Sequence, residues 1–142
     1  MLHFRQCLDK LRQRRGESFE REGLGVPPGD RYVQALRGRF AGEGRGLGGL
    51  GDTLMVNAFV EARSCERFRI LARALDGRDG LDGELGEFYA RLAEAEGRHW
   101  ETFRDLAIQE LGDEARIHRR IEEVAAMEAE IVAGLPVGAR MH

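Results

Sequence analysis

Three side chains able to bind a metal lie at the centres of two apolar helical stripes. From residue 52 to 75, positions spaced alternately four and three apart share one helical face, and all are apolar or small except Glu61. From 84 to 109 the pattern repeats, interrupted only by Glu96 and His99. Because a buried carboxylate is costly unless it is paired or binds a metal, these residues are the candidates for chemistry.

The spacing of the three residues suits a carboxylate-bridged metal site. Glu96 and His99 are three residues apart, so they lie on one helical face and can bind the same ion. Di-metal helical bundles take one Glu from each of two helices and a Glu-x-x-His from each of the other two. Glu61 would be a lone Glu, and the three side chains would meet if the two helices pack antiparallel. The first helix offers His3, but the position three residues before it falls outside the chain.

Ordinary structural interpretations of these residues remain open. Glu-x-x-His pairs occur on many helices without function, and Glu61 could be a partly buried salt-bridge partner of an arginine such as Arg63 or Arg67. Glu66 lies off the stripe and is expected to be structural rather than a ligand. His118 lies beside the apolar face of the last helix and is a further ligand candidate. Two i,i+4 pairs are expected on a solvated face: Glu87 with Arg91 and Glu94 with Arg98.

The elements that must position these residues are all helical. No segment alternates like a strand, so we predict an all-α fold, with 1–142 as a single domain. The predicted helices span about 2–15, 31–39, 52–75, 84–109 and 114–133. Asp52 and Thr53 are expected to cap the first long helix, and residues 17–51 form an irregular Gly- and Pro-rich connection around the short helix. Within it, 46–51 match G-x-G-x-x-G, but no strand precedes them, so a linker is favoured over a dinucleotide site.

Charge and cysteine usage limit the class of protein. The net charge is −3, but residues 1–50 carry +4 and residues 51–142 carry −7. This balance excludes a globally basic nucleic-acid binder and allows an anionic partner near the N-terminal third. Cys7 and Cys65 are isolated, so a disulfide framework is not expected and the cytoplasm is the predicted location. No apolar run of membrane-spanning length occurs, so we expect no membrane partner.

Two segments of the chain resemble a known enzyme family. Residues 59–68, FVEARSCERF, closely resemble the third-helix motif of the tRNA 2-methylthio-N6-isopentenyladenosine hydroxylases. Phe88 and Tyr89 followed by residues 96–100, EGRHW, resemble that family's fourth helix, where Ala usually stands at the position of Gly97. Residues 2–4 resemble the end of its second-helix Glu-x-x-His, and 30–39 resemble the segment that follows.

The resemblance implies a ferritin-like four-helix bundle with a non-haem di-iron centre. Such an enzyme would hydroxylate the isopentenyl group of a modified adenosine next to the tRNA anticodon, using O2 and an external electron donor. By this resemblance His3, Glu61, Glu96 and His99 correspond to iron ligands, and no other catalytic residue is implied. The tRNA would be steered by arginines, and those of the basic N-terminal third are the candidates.

The resemblance also implies that the chain lacks the first helix and the start of the second. We therefore expect upstream DNA to encode, in frame, a Glu three residues before His3 and an earlier helix with another inward Glu. As written, the chain is expected to bind iron poorly, to self-associate through an exposed apolar face and not to hydroxylate tRNA. The alternative hypothesis is a metal-deficient helical module with a structural or binding role.

Overall fold

Five α-helices make up nearly all of the described structure. The computed structural model describes residues 2–16, 31–42 and 46–135, and no strand occurs in these ranges. The helices are α1 (Leu2–Arg15), α2 (Arg31–Gly42), α3 (Gly49–Ala74), α4 (Gly80–Leu111) and α5 (Glu114–Gly134). The predicted all-α fold is confirmed for these residues, and its helical packing is consistent with a ferritin-like bundle.

The first long helix begins three residues earlier than predicted. Its N-cap is Gly48, with φ of 93°, a backbone conformation that glycine adopts without strain. The Asp52 carboxylate does not cap the helix, because it turns back and accepts hydrogen bonds from the amides of Leu47 (2.8 Å) and Gly48 (3.2 Å). Residues 49–51 therefore belong to α3 rather than to the irregular connection.

The junction between α4 and α5 follows the predicted break. Gly112 adopts a left-handed conformation, φ 64°, and its amide donates to the carbonyl of Ile108 at 2.8 Å. Asp113 caps α5 by accepting from the amide of Arg116 at 2.9 Å. These two residues let the chain reverse direction between helices without leaving terminal amides unpaired.

Helices α3 and α4 form the most extensive helix pair of the bundle and run antiparallel. Residues later in α3 contact residues earlier in α4, and the reverse. Near the turn Phe68 stacks on Tyr89 with ring centroids 5.8 Å apart, and further away Phe59 meets Trp100 edge-to-face at 5.6 Å. This antiparallel register is the one the metal hypothesis requires.

Two apolar clusters flank the middle of this helix pair. The larger one joins α2 and α5 to the far end of the pair, and its fully buried side chains are Tyr32, Leu36, Met55, Ile117 and Val124. The smaller one lies towards the turn, around Cys65, Phe68, Phe88, Leu92 and Ala93, and Cys7 of α1 packs against it. The centre of α3 and α4 is thus held between packed regions.

Helix α1 is tied to the start of α4 by ion pairs. Lys10 contacts Glu84 at 2.9 Å and Arg14 contacts Asp82 at 2.8 Å. These exposed pairs add little stability, but they set which surface of α4 the helix α1 covers. His3 lies in α1, and its side chain is outside the described part of the structure.

Candidate metal centre

Glu61, Glu96 and His99 converge at the middle of the α3–α4 pair. One ligand atom from each side chain lies within 4.8 Å of the others. His99 Nδ1 lies 2.8 Å from Glu96 Oε2 and 3.5 Å from Glu61 Oε2. The first contact follows from the Glu-x-x-His spacing on one helix, whereas the second depends on how α3 and α4 pack.

The environment of Glu61 opposes its ionisation. Burial, the hydrogen bond to Glu96 and the charge of that carboxylate together raise the pKa of Glu61 to about 7, against the opposing effect of His99. Two carboxylates this close repel each other when both are ionised. A cation between them would remove this repulsion, which is the electrostatic condition for a metal site.

Along the helix pair the site is flanked on two sides by packed residues. Towards the larger cluster Phe59 packs on Trp100, and towards the turn the Cys65 thiol donates to the carbonyl of Ala93 at 3.2 Å. The third side is open, because the His99 side chain is 47% exposed whereas that of Glu96 is 14% exposed. The donor atoms are thus held in a half-buried cleft rather than in a closed cavity.

The donor set fits iron. Carboxylate oxygens and imidazole nitrogen are ligands that suit Fe²⁺, and carboxylates also bridge two ions in helical bundles. The convergence of Glu61, Glu96 and His99 agrees with the sequence hypothesis, and their function as ligands stays a prediction. The same holds for His3.

Other predicted assignments can be compared with the structure. Glu66 pairs with Arg63, in line with a structural function. Glu87 and Arg91 form an exposed pair at 3.8 Å, as predicted, and Cys65 is a buried free thiol. His118 is exposed and lies 3.5 Å from Glu114 on its own helix, which gives no support to its being a ligand.

The alternative in which Arg63 is the salt-bridge partner of Glu61 is wrong. Arg63 instead donates through Nε to Glu128 Oε1 at 2.8 Å, and Glu128 is only 7% exposed. Sequence reasoning missed Glu128, although the signal was present. Glu128 lies four residues after Val124 and three before Ile131, so it interrupts an apolar stripe just as Glu61 does.

None of the described helices combines the length and apolar character needed to cross a membrane.

Two relatives found by comparison with known proteins carry the same name. A Pseudomonas putida (strain KT2440) protein named tRNA 2-(methylsulfanyl)-N(6)-isopentenyladenosine(37) hydroxylase is 39% identical over 142 residues, which are 100% of this chain and 62% of that protein. A Salmonella typhimurium (strain LT2) protein of the same name is 34% identical over 91 residues, 64% of this chain and 31% of that protein. The chain thus spans less than two thirds of the length of either relative. No solved structure matches it.

The family comparison covers the whole sequence. The family described as tRNA-(MS[2]IO[6]A)-hydroxylase (MiaE) matches residues 1–142, which include Glu61, Glu96 and His99. This chain therefore belongs to the tRNA-(MS[2]IO[6]A)-hydroxylase (MiaE) family.

Proposed function

We propose that the protein containing this chain is an iron-dependent tRNA hydroxylase. The observation that supports this proposal most is the convergence of Glu61, Glu96 and His99 within 4.8 Å in a member of this family. The proposed substrate is the 2-methylthio-N6-isopentenyladenosine next to the anticodon, the nucleoside in the names of both relatives. The metal-deficient alternative gives no reason for two carboxylates and an imidazole to meet in a half-buried cleft.

The reaction would insert one oxygen atom into the isopentenyl group. A C–H bond breaks and a C–O–H group forms, one atom of O2 enters the product, and the other leaves as water. The balance requires two electrons and two protons, which an external donor would supply. Two iron ions, when bound, would supply the redox chemistry with O2.

The side chains of the site have separate tasks in this proposal. Glu61, Glu96, His99 and His3 would hold the metal, and the two carboxylates would balance its positive charge. The Phe59 and Trp100 rings, with centroids 5.6 Å apart, pack in the adjoining part of the helix pair.

The proposed partners follow from the substrate. The tRNA backbone is a polyanion, and the +4 charge of residues 1–50 would favour its approach on that side. The proposed location is the cytoplasm, where an electron donor of unidentified type would act. Self-association is proposed through exposed apolar side chains such as Leu50, 55% exposed, and Leu106, 42% exposed.

Iron binding tests the ligand assignment with a control on the same helix. In the full-length protein that contains this chain, we expect Glu96→Ala and His99→Ala to abolish bound iron, because each removes a ligand. Glu94→Ala should retain it, since Glu94 lies on the exposed face of α4. Iron is measured by elemental analysis of each purified variant, with circular dichroism to verify folding. Equal iron loss in all three variants would indicate general unfolding and would remove the support for the site.

Nucleoside analysis tests the reaction. The gene is expressed from its own genomic locus, with its flanking DNA, in a host that makes the isopentenylated nucleoside but has no hydroxylase. Mass spectrometry of tRNA nucleosides should show a gain of one oxygen atom, and the gain should disappear with His99→Ala. A folded, iron-loaded protein that leaves the nucleoside unchanged would contradict the proposed activity. A folded protein that takes up no iron from excess Fe²⁺ would support the metal-deficient alternative.

A further inference from the structure

A buried polar network holds the helical turn that carries Glu61. Tyr32 of α2 is fully buried, and its hydroxyl donates to the carbonyl of Phe59 at 3.3 Å. Arg63 of α3 donates to Glu128 of α5. In an α-helix the carbonyl of residue 59 accepts from the amide of residue 63, so the contacts fall on both ends of one turn. Glu61 is at the middle of that turn.

The network acts from the side of α3 that faces away from the metal cleft. Residues two apart on a helix point in nearly opposite directions, so Arg63 extends away from the stripe on which Glu61 lies. Glu128 comes from α5 and Tyr32 from α2, so two further helices contact this turn of α3. Burial raises the pKa of the Tyr32 hydroxyl above its ordinary value, and the neighbouring Glu128 carboxylate adds to the effect. Tyr32 therefore stays protonated as a donor.

The residue types of the network suit orienting α3 better than stabilising the fold. Replacing a buried ion pair by apolar residues is often neutral or stabilising, so such a pair is weak evidence for stability. The Arg63–Glu128 pair constrains orientation instead. Arg63 also contacts Glu66, and few orientations of its guanidinium satisfy both carboxylates. A small rotation of α3 would move the Glu61 carboxylate away from His99, which lies 3.5 Å from it.

We propose that Tyr32, Arg63 and Glu128 are positioning residues that fix the rotation of α3 and hold the Glu61 carboxylate against Glu96 and His99. This inference rests on the proposed metal site for its functional meaning. Its geometric part does not depend on any metal, because the turn also packs against the single tryptophan of the chain. Trp100 meets Phe59 edge-to-face at 5.6 Å, so its fluorescence reports the position of the turn.

The test compares two glutamates on α5. Glu128→Gln removes the charge that orients Arg63. Glu130→Gln is the matched control, because Glu130 lies two residues further on and pairs with Arg39 of α2 at 2.8 Å on the exposed surface. We expect Glu128→Gln to shift Trp100 emission to longer wavelength and to lower the affinity for Co²⁺, a spectroscopic probe of the site, about 10–100-fold. Glu130→Gln should change neither, and Tyr32→Phe should shift the emission in the same direction as Glu128→Gln.

A double variant separates positioning from stability. Arg63→Met with Glu128→Met removes both charges, so no unpaired charge is left buried and the melting temperature should exceed that of Glu128→Gln. We expect it still to show the shifted emission and the weakened Co²⁺ binding. Recovery of wild-type emission and affinity in the double variant would overturn the proposal, as would unchanged emission in Glu128→Gln. If the full-length wild-type protein binds no Co²⁺ but the emission shifts as expected, the proposed metal site fails and the positioning of the turn is still supported.

Discussion

At Glu61, burial and the neighbouring Glu96 carboxylate both favour the protonated form, which is why its pKa rises to about 7. A metal ligand must lose its proton before it binds the ion. The raised pKa means that more of Glu61 is protonated near neutral pH than of an ordinary glutamate. Metal binding therefore has to displace a proton at low pH and meets no such competition at high pH.

We expect metal affinity to fall as the pH is lowered through 7. The decrease should reach about tenfold per pH unit below the pKa for one displaced proton. Co²⁺ titrations between pH 5.5 and 8.5 would measure it. Glu61→Gln cannot release a proton at this position, so its residual affinity should be less dependent on pH in this window. A wild-type affinity that is constant over the whole range would contradict the assignment of Glu61.

Within α4, two glycines show how the same residue type serves different purposes along one helix. A Cβ at Gly83 would overlap the carbonyl oxygen of Arg78, so glycine is needed where the chain enters the helix. A Cβ at Gly97 would lie 3.7 Å from the Cys65 sulfur, which is ordinary van der Waals contact. Of these two positions, only Gly83 has no room for a Cβ atom.

The two glycines provide a matched pair of substitutions. Gly97→Ala should stabilise the protein by about 0.5–1 kcal/mol, because alanine loses less backbone entropy in a helix. Gly83→Ala has the same helical preference but must displace backbone, so we expect a loss of about 1–3 kcal/mol. Urea unfolding of the two variants against wild type would measure both changes. Loss of stability in Gly97→Ala would show that α3 and α4 pack more tightly there than the 3.7 Å distance to the Cys65 sulfur indicates.

For the whole molecule, α3 and α4 connect the two apolar clusters, since both helices contribute side chains to each cluster. The predicted single domain would therefore unfold as one unit. We expect Ile117→Ala, which empties a fully buried position, to cost about 2–5 kcal/mol. Ile70 is 58% exposed, and Ile70→Ala should change stability by no more than about 0.5 kcal/mol.

Two probes would test this cooperativity. Trp100 fluorescence reports the middle of the α3–α4 pair, and circular dichroism reports all helices. Both transitions should coincide in wild type and shift together in Ile117→Ala. Separate transitions would mean that α5 and its cluster unfold independently of the metal cleft, and the single-domain prediction would then be wrong.

Much of this fold was predictable because helical periodicity is local. The stripes on α3 and α4, the break at Gly112 and Asp113, and the i,i+3 contact between Glu96 and His99 depend only on neighbouring residues. The start of α3 was not predictable from the sequence, because the Asp52 side chain can cap the helix or turn back to the amides of Leu47 and Gly48. A cap would satisfy amides that follow Asp52, whereas the carboxylate that turns back satisfies amides that precede it, and the sequence does not distinguish the two.

Helical periodicity places Glu61 on one buried face and Glu96 and His99 on another, which is why the sequence alone made them candidates for one site. Tertiary structure decided that Glu61 meets His99 across the helix pair, whereas Glu128, in an equivalent stripe position, pairs with Arg63. The physical reason is that periodicity fixes the direction of a side chain relative to its own helix axis. Whether a buried acid faces another acid or an arginine depends on the register between helices, which the packing of both clusters sets.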